Sequence, residues 1–313
     1  MTFSGVEDLG GGLRAAFNYE TRLNPDNITA AGMDRTRNMF LNLSGGFGAV
    51  TIGTYLNSFD TVRGFSAATY SAPGGDFLPN HIGIIEKIVP KAELMADGLT
   101  DAQATTLLAL LNNGLSARST NAIGYTSPSF SGLTASVGVS NEKTSTGNTS
   151  LNKIEGVIAS LAYASGPLNA RLALGEGKAS LKTTATNLSS TKTTDAAFAV
   201  SYDLGVAVPY IQYENSKTTV GALLGEAIEA NNGFKTSAAE LGAKFPMGAL
   251  TPYITVSAGN LKFDGDKIKT SAFQVGTTYD LSKRTSVYAA AGQFKLKEVS
   301  KTTGYKIGLI HNF

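Results

Sequence analysis

"TTGYKIGLIHNF", residues 302–313, alternates with a period of two between apolar residues and polar or small ones. One face carries Tyr305, Ile307, Leu309, His311 and Phe313, and the opposite face carries Lys306, Gly308, Ile310 and Asn312. Alternation with this period predicts a β-strand, because successive side chains of a strand point to opposite faces. Chain ends in water usually fray into polar residues. A terminal strand that is apolar to its last residue therefore predicts an apolar environment along one whole face.

The same two-residue period recurs along the chain, for example in "LRAAFNYETR" at 13–22, "LNARLALG" at 168–175 and "AAELGAKF" at 238–245. A soluble β-sandwich alternates in the same way. The segments are about nine to eleven residues long, however, which is the length of a tilted strand that crosses the hydrocarbon of a bilayer. Lipid offers no hydrogen bonds, so such strands must close into a ring. The pattern predicts an all-β fold, a transmembrane antiparallel β-barrel.

The connections between these segments alternate between short turns rich in Gly, Pro or Asp and longer polar stretches such as 142–153 and 215–236. Short turns at one end and longer loops at the other are typical of outer-membrane barrels. Fifteen strands are predicted, which is an odd number, whereas bacterial single-chain barrels have an even one. We therefore expect a sixteenth strand, together with a signal peptide, upstream of Met1.

Composition excludes several classes of function. The chain has no Cys, which excludes thiol catalysis and Cys-based zinc sites. It has two His, so there are few candidates for histidine acid–base catalysis. The net charge of +2 predicts no nucleic-acid partner. No cofactor is predicted either, because "FDGDK" at 263–267 lacks the remaining ligands of a calcium loop and "GEGKAS" at 175–180 lacks the spacing of a phosphate loop.

Five motifs occur in order along nearly the whole chain: "EDLGGGLRAAF" at 7–17, "LSGGFGAVTIG" at 43–53, "RSTNAIGYTSPSFSGL" at 118–133, "LSKRTSVYA" at 281–289 and "GLIHNF" at 308–313. Together they resemble the general porins of Gram-negative bacteria, specifically the betaproteobacterial type with sixteen strands. The resemblance implies a single porin β-barrel over residues 1–313. Two departures are that the family's first strand precedes "EDLGGG" and that the family commonly carries Arg where this chain has Thr54 and Tyr55.

Residues 56–118 form the longest connection, and a loop of this length is expected to have a function or structure of its own. A helix is predicted over 100–114, with Thr100 as N-cap and Gly114 as the stop. By position the insertion is similar to the family's third loop, which folds into the lumen with acidic residues facing a basic wall. Opposed charges across a narrow aqueous gap set up a transverse field. The acidic candidates are Asp60, Asp76 and Glu86; Arg118 is the best-matched wall residue, and Arg14, Arg22, Arg35, Arg37 and Arg171 follow from parity or proximity.

The resemblance implies a passive, water-filled channel of the cell outer membrane for ions and small hydrophilic solutes, with weak anion preference or none, and no enzymatic activity. It also implies a homotrimer surrounded by outer-membrane lipid and lipopolysaccharide. Tyr305, Ile307, Leu309 and Phe313 resemble the signal that the barrel assembly machinery reads.

Two other functions stay open at this point. An outer-membrane barrel enzyme would need an acid–base residue near the rim, where His81 is the one plausible histidine. A non-conducting structural or adhesin barrel would have a lumen that the long loop plugs. Ion conductance separates the second alternative from a porin, because a plug passes no ions.

Overall fold

The computed structural model describes residues 1–23, 33–68, 91–96, 101, 108, 118–146, 150–182, 187–223, 226–227, 233–263 and 266–312. Fifteen long strands and one two-residue strand, β11, make up almost all of this part of the chain. The strands are β1 (Thr2–Gly10), β2 (Leu13–Leu23), β3 (Met33–Gly45), β4 (Gly48–Leu56), β5 (Arg118–Thr126), β6 (Leu133–Thr146), β7 (Ser150–Ser165), β8 (Leu168–Lys182), β9 (Asn187–Tyr202), β10 (Val208–Leu223), β11 (Glu226–Ala227), β12 (Gly233–Lys244), β13 (Leu250–Phe263), β14 (Asp266–Asp280), β15 (Thr285–Leu296) and β16 (Ser300–His311).

In the described part of the connection between β4 and β5 lie the short helices α1 (Ser58–Arg63) and α2 (Lys91–Ala96). Of the helix predicted over 100–114, the structure describes Asp101 and Leu108, both helical, and the rest lies outside the described residues. Neither helix is long and apolar enough to cross a membrane, in the part of the chain that the structure describes.

Each long strand pairs with the next one in antiparallel fashion, in the order β1 to β10 and then β12 to β16, and β11 pairs with β10. The predicted all-β antiparallel fold with fifteen strands is confirmed. Since the directions alternate, β1 and β16 run the same way. A sixteenth strand that would join them stays a prediction.

The two faces of the sheet differ in polarity. The inward side chains of β9 to β14 are buried and many are polar, as Gln212 and Thr255 show, while their outward neighbours Ile211 and Ile254 are exposed. A soluble sandwich has the reverse arrangement, with apolar side chains buried. On β16 the outward residues Tyr305, Ile307 and Leu309 are 82%, 77% and 63% exposed, and Phe313 lies outside the described residues. Apolar outside and polar inside is the arrangement of a barrel in lipid.

Several strands are longer than predicted, and this corrects the long polar loops expected at 142–153 and 215–236. β6 pairs along its whole length, Leu133–Thr146, with residues 150–163 of β7, and β10 pairs with β12 up to Thr219. Threonine is common in these stretches, and its branched side chain suits a pleated strand. Continuing the ladder also keeps the backbone N–H and C=O groups paired. The barrel wall thus extends beyond the length needed to cross hydrocarbon.

Tyr55 lies near the end of β4, and its side chain points inward. Its hydroxyl lies on the inward face, where a Cβ on Gly124 would come within 2.4 Å and one on Gly138 within 3.0 Å. The two glycines leave space that the ring fills. Three further tyrosines each lie over the glycine paired with them on the next strand: Tyr210 over Gly242, Tyr253 over Gly276 and Tyr288 over Gly308.

The sheet curves around the connection between β4 and β5. Helix α1 packs against β7, β8 and β9, and its last residue, Arg63, contacts Glu214 on β10. The same helix places Asp60 within electrostatic reach of Arg37 on β3 and Arg118 on β5. Strands from both halves of the sheet therefore surround α1. Most of the predicted loop over 56–118 lies outside the described residues, and its folding into the lumen as a whole stays a prediction.

Candidate functional site

Helix α1 has an N-capping residue, Asn57, and packs on small side chains of the sheet. The Asn57 carboxamide oxygen accepts hydrogen bonds from the backbone N–H groups of Phe59 at 3.0 Å and Asp60 at 3.4 Å. Phe59 and Val62 are buried, and their cluster includes Ala173 of β8 and Ala197 and Ala199 of β9. Alanine at these inward positions leaves space for a helix against the wall. The cap and the apolar face together fix where α1 starts and which side it buries.

Arg63 joins the end of α1 to the wall through a bidentate ion pair. Its Nε and Nη2 atoms donate to the two carboxylate oxygens of Glu214 at 2.9 and 2.5 Å. The two side chains are 9% and 1% exposed. The guanidinium also lies 5.8 Å from the ring centroid of Phe59. Fork-shaped pairs of this kind fix direction as well as distance, so Arg63 determines how α1 is oriented on β10.

Two more contacts hold the same stretch at its ends. Near its start, the Ser58 hydroxyl donates to the Ser160 hydroxyl of β7 at 2.8 Å. Near its end, the Ala67 N–H donates to the Tyr210 hydroxyl at 2.9 Å, and that hydroxyl donates to Glu240 at 2.7 Å. Residues 57–68, here named the docked segment, are therefore attached at the start, middle and end.

On the side of the docked segment that faces away from β7–β9, the carboxylate of Asp60 faces arginines of other strands. Asp60 lies within electrostatic reach of Arg63, Arg118 and Arg37. Burial raises the pKa of the Asp60 carboxyl above its ordinary value, and the three guanidinium groups oppose that shift. Arg118, at the start of β5, and Arg37, on β3, come from strands that are far from β10 in the sheet order. A gap between opposite charges thus crosses the interior.

A β-bulge aims Arg37 at this gap. Tyr19 pairs with Met39 and Thr21 with Thr36, so β3 has one extra residue opposite Glu20. Both Arg37 and Asn38 consequently reach the Glu20 carboxylate, at 2.6 and 2.8 Å.

The other predicted site residues are dispersed. Arg171 lines a cavity of about 660 Å³ beside the docked segment. Arg14 is exposed at the turn end of β2, six residues from Glu20, which is roughly 20 Å along a strand. The structure therefore does not bring Arg14 to Asp60. The backbones of Arg22 and Arg35 are paired in register, but their side chains, like all of Asp76 and Glu86, lie outside what the structure describes.

Hydroxyl and amide groups make up much of the cavity wall. Among its lining residues are Asn38, Asn42, Thr51, Ser58, Thr61, Ser119, Thr126, Thr134, Ser136 and Ser160. These groups can exchange hydrogen bonds with water or with a hydrophilic solute. The cavity together with the charged gap has the chemistry of an aqueous passage.

Sequence reasoning missed Arg63, Glu214, Glu20 and Glu240. Glu214 and Glu240 occupy inward positions of strands whose outward residues are apolar, so an acidic residue on the inward face was the available signal. Arg63 follows no pattern in the sequence. Its partner is 151 residues away, and only the fold brings the two together.

The amino-acid sequence of this chain is similar to a protein family and to individual outer-membrane proteins. The family model described as Gram-negative porin matches residues 1–298. Outer membrane porin protein 32 of Delftia acidovorans is 28% identical over 99% of this chain and 83% of its own length. An outer membrane porin protein of Bordetella pertussis is 26% identical over 99% of this chain and 80% of its own length.

Solved structures show the same fold. The anion-selective porin from Comamonas acidovorans superposes with a TM-score of 0.71 at 23% identity, covering 100% of this chain and 88% of that one. Salmonella typhi OmpF, solved in complex with daunomycin, gives a TM-score of 0.67 at 17% identity, covering 99% and 88%. The likeness to the Comamonas acidovorans porin shows that the curved sheet described above has the fold of a porin-type β-barrel.

Proposed function

The chain belongs to the Gram-negative porin family and is a general diffusion porin of the cell outer membrane, and we propose that its docked segment forms the constriction of the pore. The observation that carries this proposal is the position of Asp60, on a helix fixed to β7–β10 and facing Arg37 and Arg118. A carboxylate opposite guanidinium groups sets a field across the passage. Solutes that are small, hydrophilic and dipolar are oriented by such a field as they pass.

The balance of charge supports weak anion preference. Glu214 and Glu20 are held in ion pairs by Arg63 and Arg37. Asp60 then faces Arg118, and Arg171 adds a further cation on the cavity wall. Over these seven groups the cations exceed the carboxylates by one, which supports a weak preference rather than a strong one. The similar porin from Comamonas acidovorans is described as anion-selective, which agrees with the anion preference proposed for this chain.

Replacing Arg118 with alanine tests this assignment. The variant is expected to move the reversal potential in a salt gradient toward cation selectivity, because one of the cations facing Asp60 is lost. Planar-bilayer recordings measure the shift. The matched control is Arg284→Ala, which removes the same charge at an exposed turn between β14 and β15 and is expected to change the potential little. Equal shifts in the two variants would remove Arg118 from the constriction.

Selectivity is also expected to depend on pH. Since the pKa of Asp60 is raised, its carboxyl takes up a proton at a higher pH than an ordinary aspartate does. As the pH falls through that range, the constriction loses a negative charge and anion permeability rises relative to cation permeability. Asp60→Asn is expected to be more anion-selective at neutral pH and to lack this part of the response. Identical pH profiles for the variant and the parent protein would contradict the role given to Asp60.

The surroundings of the pore follow from its location. We expect contacts with outer-membrane lipid and lipopolysaccharide, assembly as a homotrimer, and recognition of the β16 apolar face by the barrel assembly machinery. Exposed Tyr305, Ile307 and Leu309 support an apolar contact of this kind. We also expect no enzymatic activity; the rival depends on His81, which lies outside the described residues. A plugged, non-conducting barrel is the second rival, and single-channel recording decides it.

A further inference from the structure

Four lysines occupy paired positions on the outward face of four adjacent strands. In the register of the sheet, Lys217 of β10 is opposite Lys235 of β12, Lys235 is opposite Lys262 of β13, and Lys262 is opposite Lys267 of β14. All four side chains are exposed. Adjacent strands lie about 4.8 Å apart, so this lysine row is roughly 15 Å long.

The lysine row brings like charges together on neighbouring strands. Like charges directly opposite each other on neighbouring strands destabilise a sheet. Among the described residues, none of the four lysines is in an ion pair.

Lysines at the same end of β7 and β9 have acidic partners. Lys153 is paired with Glu155 at 2.7 Å, and Lys192 with Glu176 at 2.8 Å. Among the described side chains, the row therefore differs from the lysines of the neighbouring strands in having no acidic partner.

The row lies beyond the outer limit of the apolar surface and is separated from it by one row of polar outward residues, Asn215, Ser237, Asn260 and Lys269. Counted from the turn end, Lys217 and Lys235 are the tenth residues of β10 and β12, and a tilted strand crosses the hydrocarbon in about nine to eleven residues. Nearer the turns, beyond this polar row, the outward residues include Ile211, Leu241, Ile254, Val256, Phe273 and Val275, all exposed. The lysines are therefore placed where acyl chains end and headgroups begin, on the side of the loops.

We propose that the lysine row binds the phosphorylated headgroup of the lipopolysaccharide in the outer leaflet, whose acyl chains lie on the apolar residues beneath it. Ammonium groups bind phosphate as point charges, and rows of cations near a membrane surface attract anionic lipid. This inference rests on the outer-membrane placement of the proposed function but not on conduction, because the row faces away from the lumen.

Binding of diphosphorylated lipid A to the detergent-solubilised protein, followed by native mass spectrometry, tests the inference. Lys235→Gln with Lys262→Gln removes the middle of the row, and an affinity loss of about 10-fold or more is expected. The charge-matched control, Lys283→Gln with Arg284→Gln, changes exposed residues at the turn end and is expected to stay within about twofold. Equal affinities of the row variant and the parent protein would overturn the inference, as would equal losses in row variant and control.

Two further measurements distinguish a lipid site from a site for free anions, and lost binding from misfolding. Millimolar inorganic phosphate is expected to leave lipid A bound, whereas displacement would show a site for free anions and overturn the assignment to a lipid. The row variant is expected to conduct like the parent protein, which excludes misfolding as the cause of lost lipid binding. Lipid A binding that depends on the row in a protein that does not conduct would refute the pore proposal and support this inference.

Discussion

Arg63→Ala is expected to release the docked segment and widen the pore. The change leaves Glu214, which is 1% exposed, without its cation. Removing one partner of a buried ion pair costs about 3–5 kcal/mol, mainly because the remaining charge stays buried and uncompensated. The hydrogen bonds at Ser58 and Ala67 join neutral groups and contribute less, at about 1 kcal/mol each. Single-channel recordings are expected to show a larger conductance and more frequent current fluctuations.

Matched variants show whether the buried pair is responsible. Lys192→Ala breaks an exposed pair with Glu176, and such pairs contribute no more than about 1 kcal/mol, so its conductance is expected to match the parent. Arg63→Met combined with Glu214→Met removes both charges and keeps apolar volume, which is expected to restore docking. Parent-like conductance in Arg63→Ala itself would show that the ion pair does not hold the segment.

The strands and their faces were predictable because the signal is local. In β2, β8 and β12 the two-residue period identifies which side chains point outward, and lipid-facing and lumen-facing residues then follow. Strand ends were less predictable, as the extensions of β6 and β10 show. Serine, threonine and lysine are common in loops, but at the rim of a barrel the ladder continues through them because backbone pairing is favourable there.

The site was predictable in composition but only partly in geometry. The resemblance to porins pointed to Asp60 and Arg118, which the structure brings within electrostatic reach of each other. The two-residue period placed Arg14 on the same face of β2 as Glu20. The period does not show how far along the strand axis a residue lies from the site. The bulge that aims Arg37 and the pairing of Arg63 with Glu214 depend on register and on contacts between distant segments, which no local pattern encodes.

The central claim is that the polar face of the sheet encloses water and the apolar face contacts acyl chains. The chain has no cysteine, so a single introduced thiol reports on one position. Thr61→Cys lies on the docked segment beside the cavity, and Val256→Cys lies on the outward face of β13, where the native side chain is 49% exposed. The two positions therefore sample the proposed lumen and the proposed lipid contact.

The decisive measurement is the reaction of these two variants, reconstituted in bilayers, with a charged, membrane-impermeant thiosulfonate, with current recorded at the same time. We predict that the thiol at position 61 reacts and the current falls, while the thiol at position 256 stays unmodified until the protein is denatured. Rapid modification of position 256 in the bilayer, with no reaction at position 61, would contradict the account.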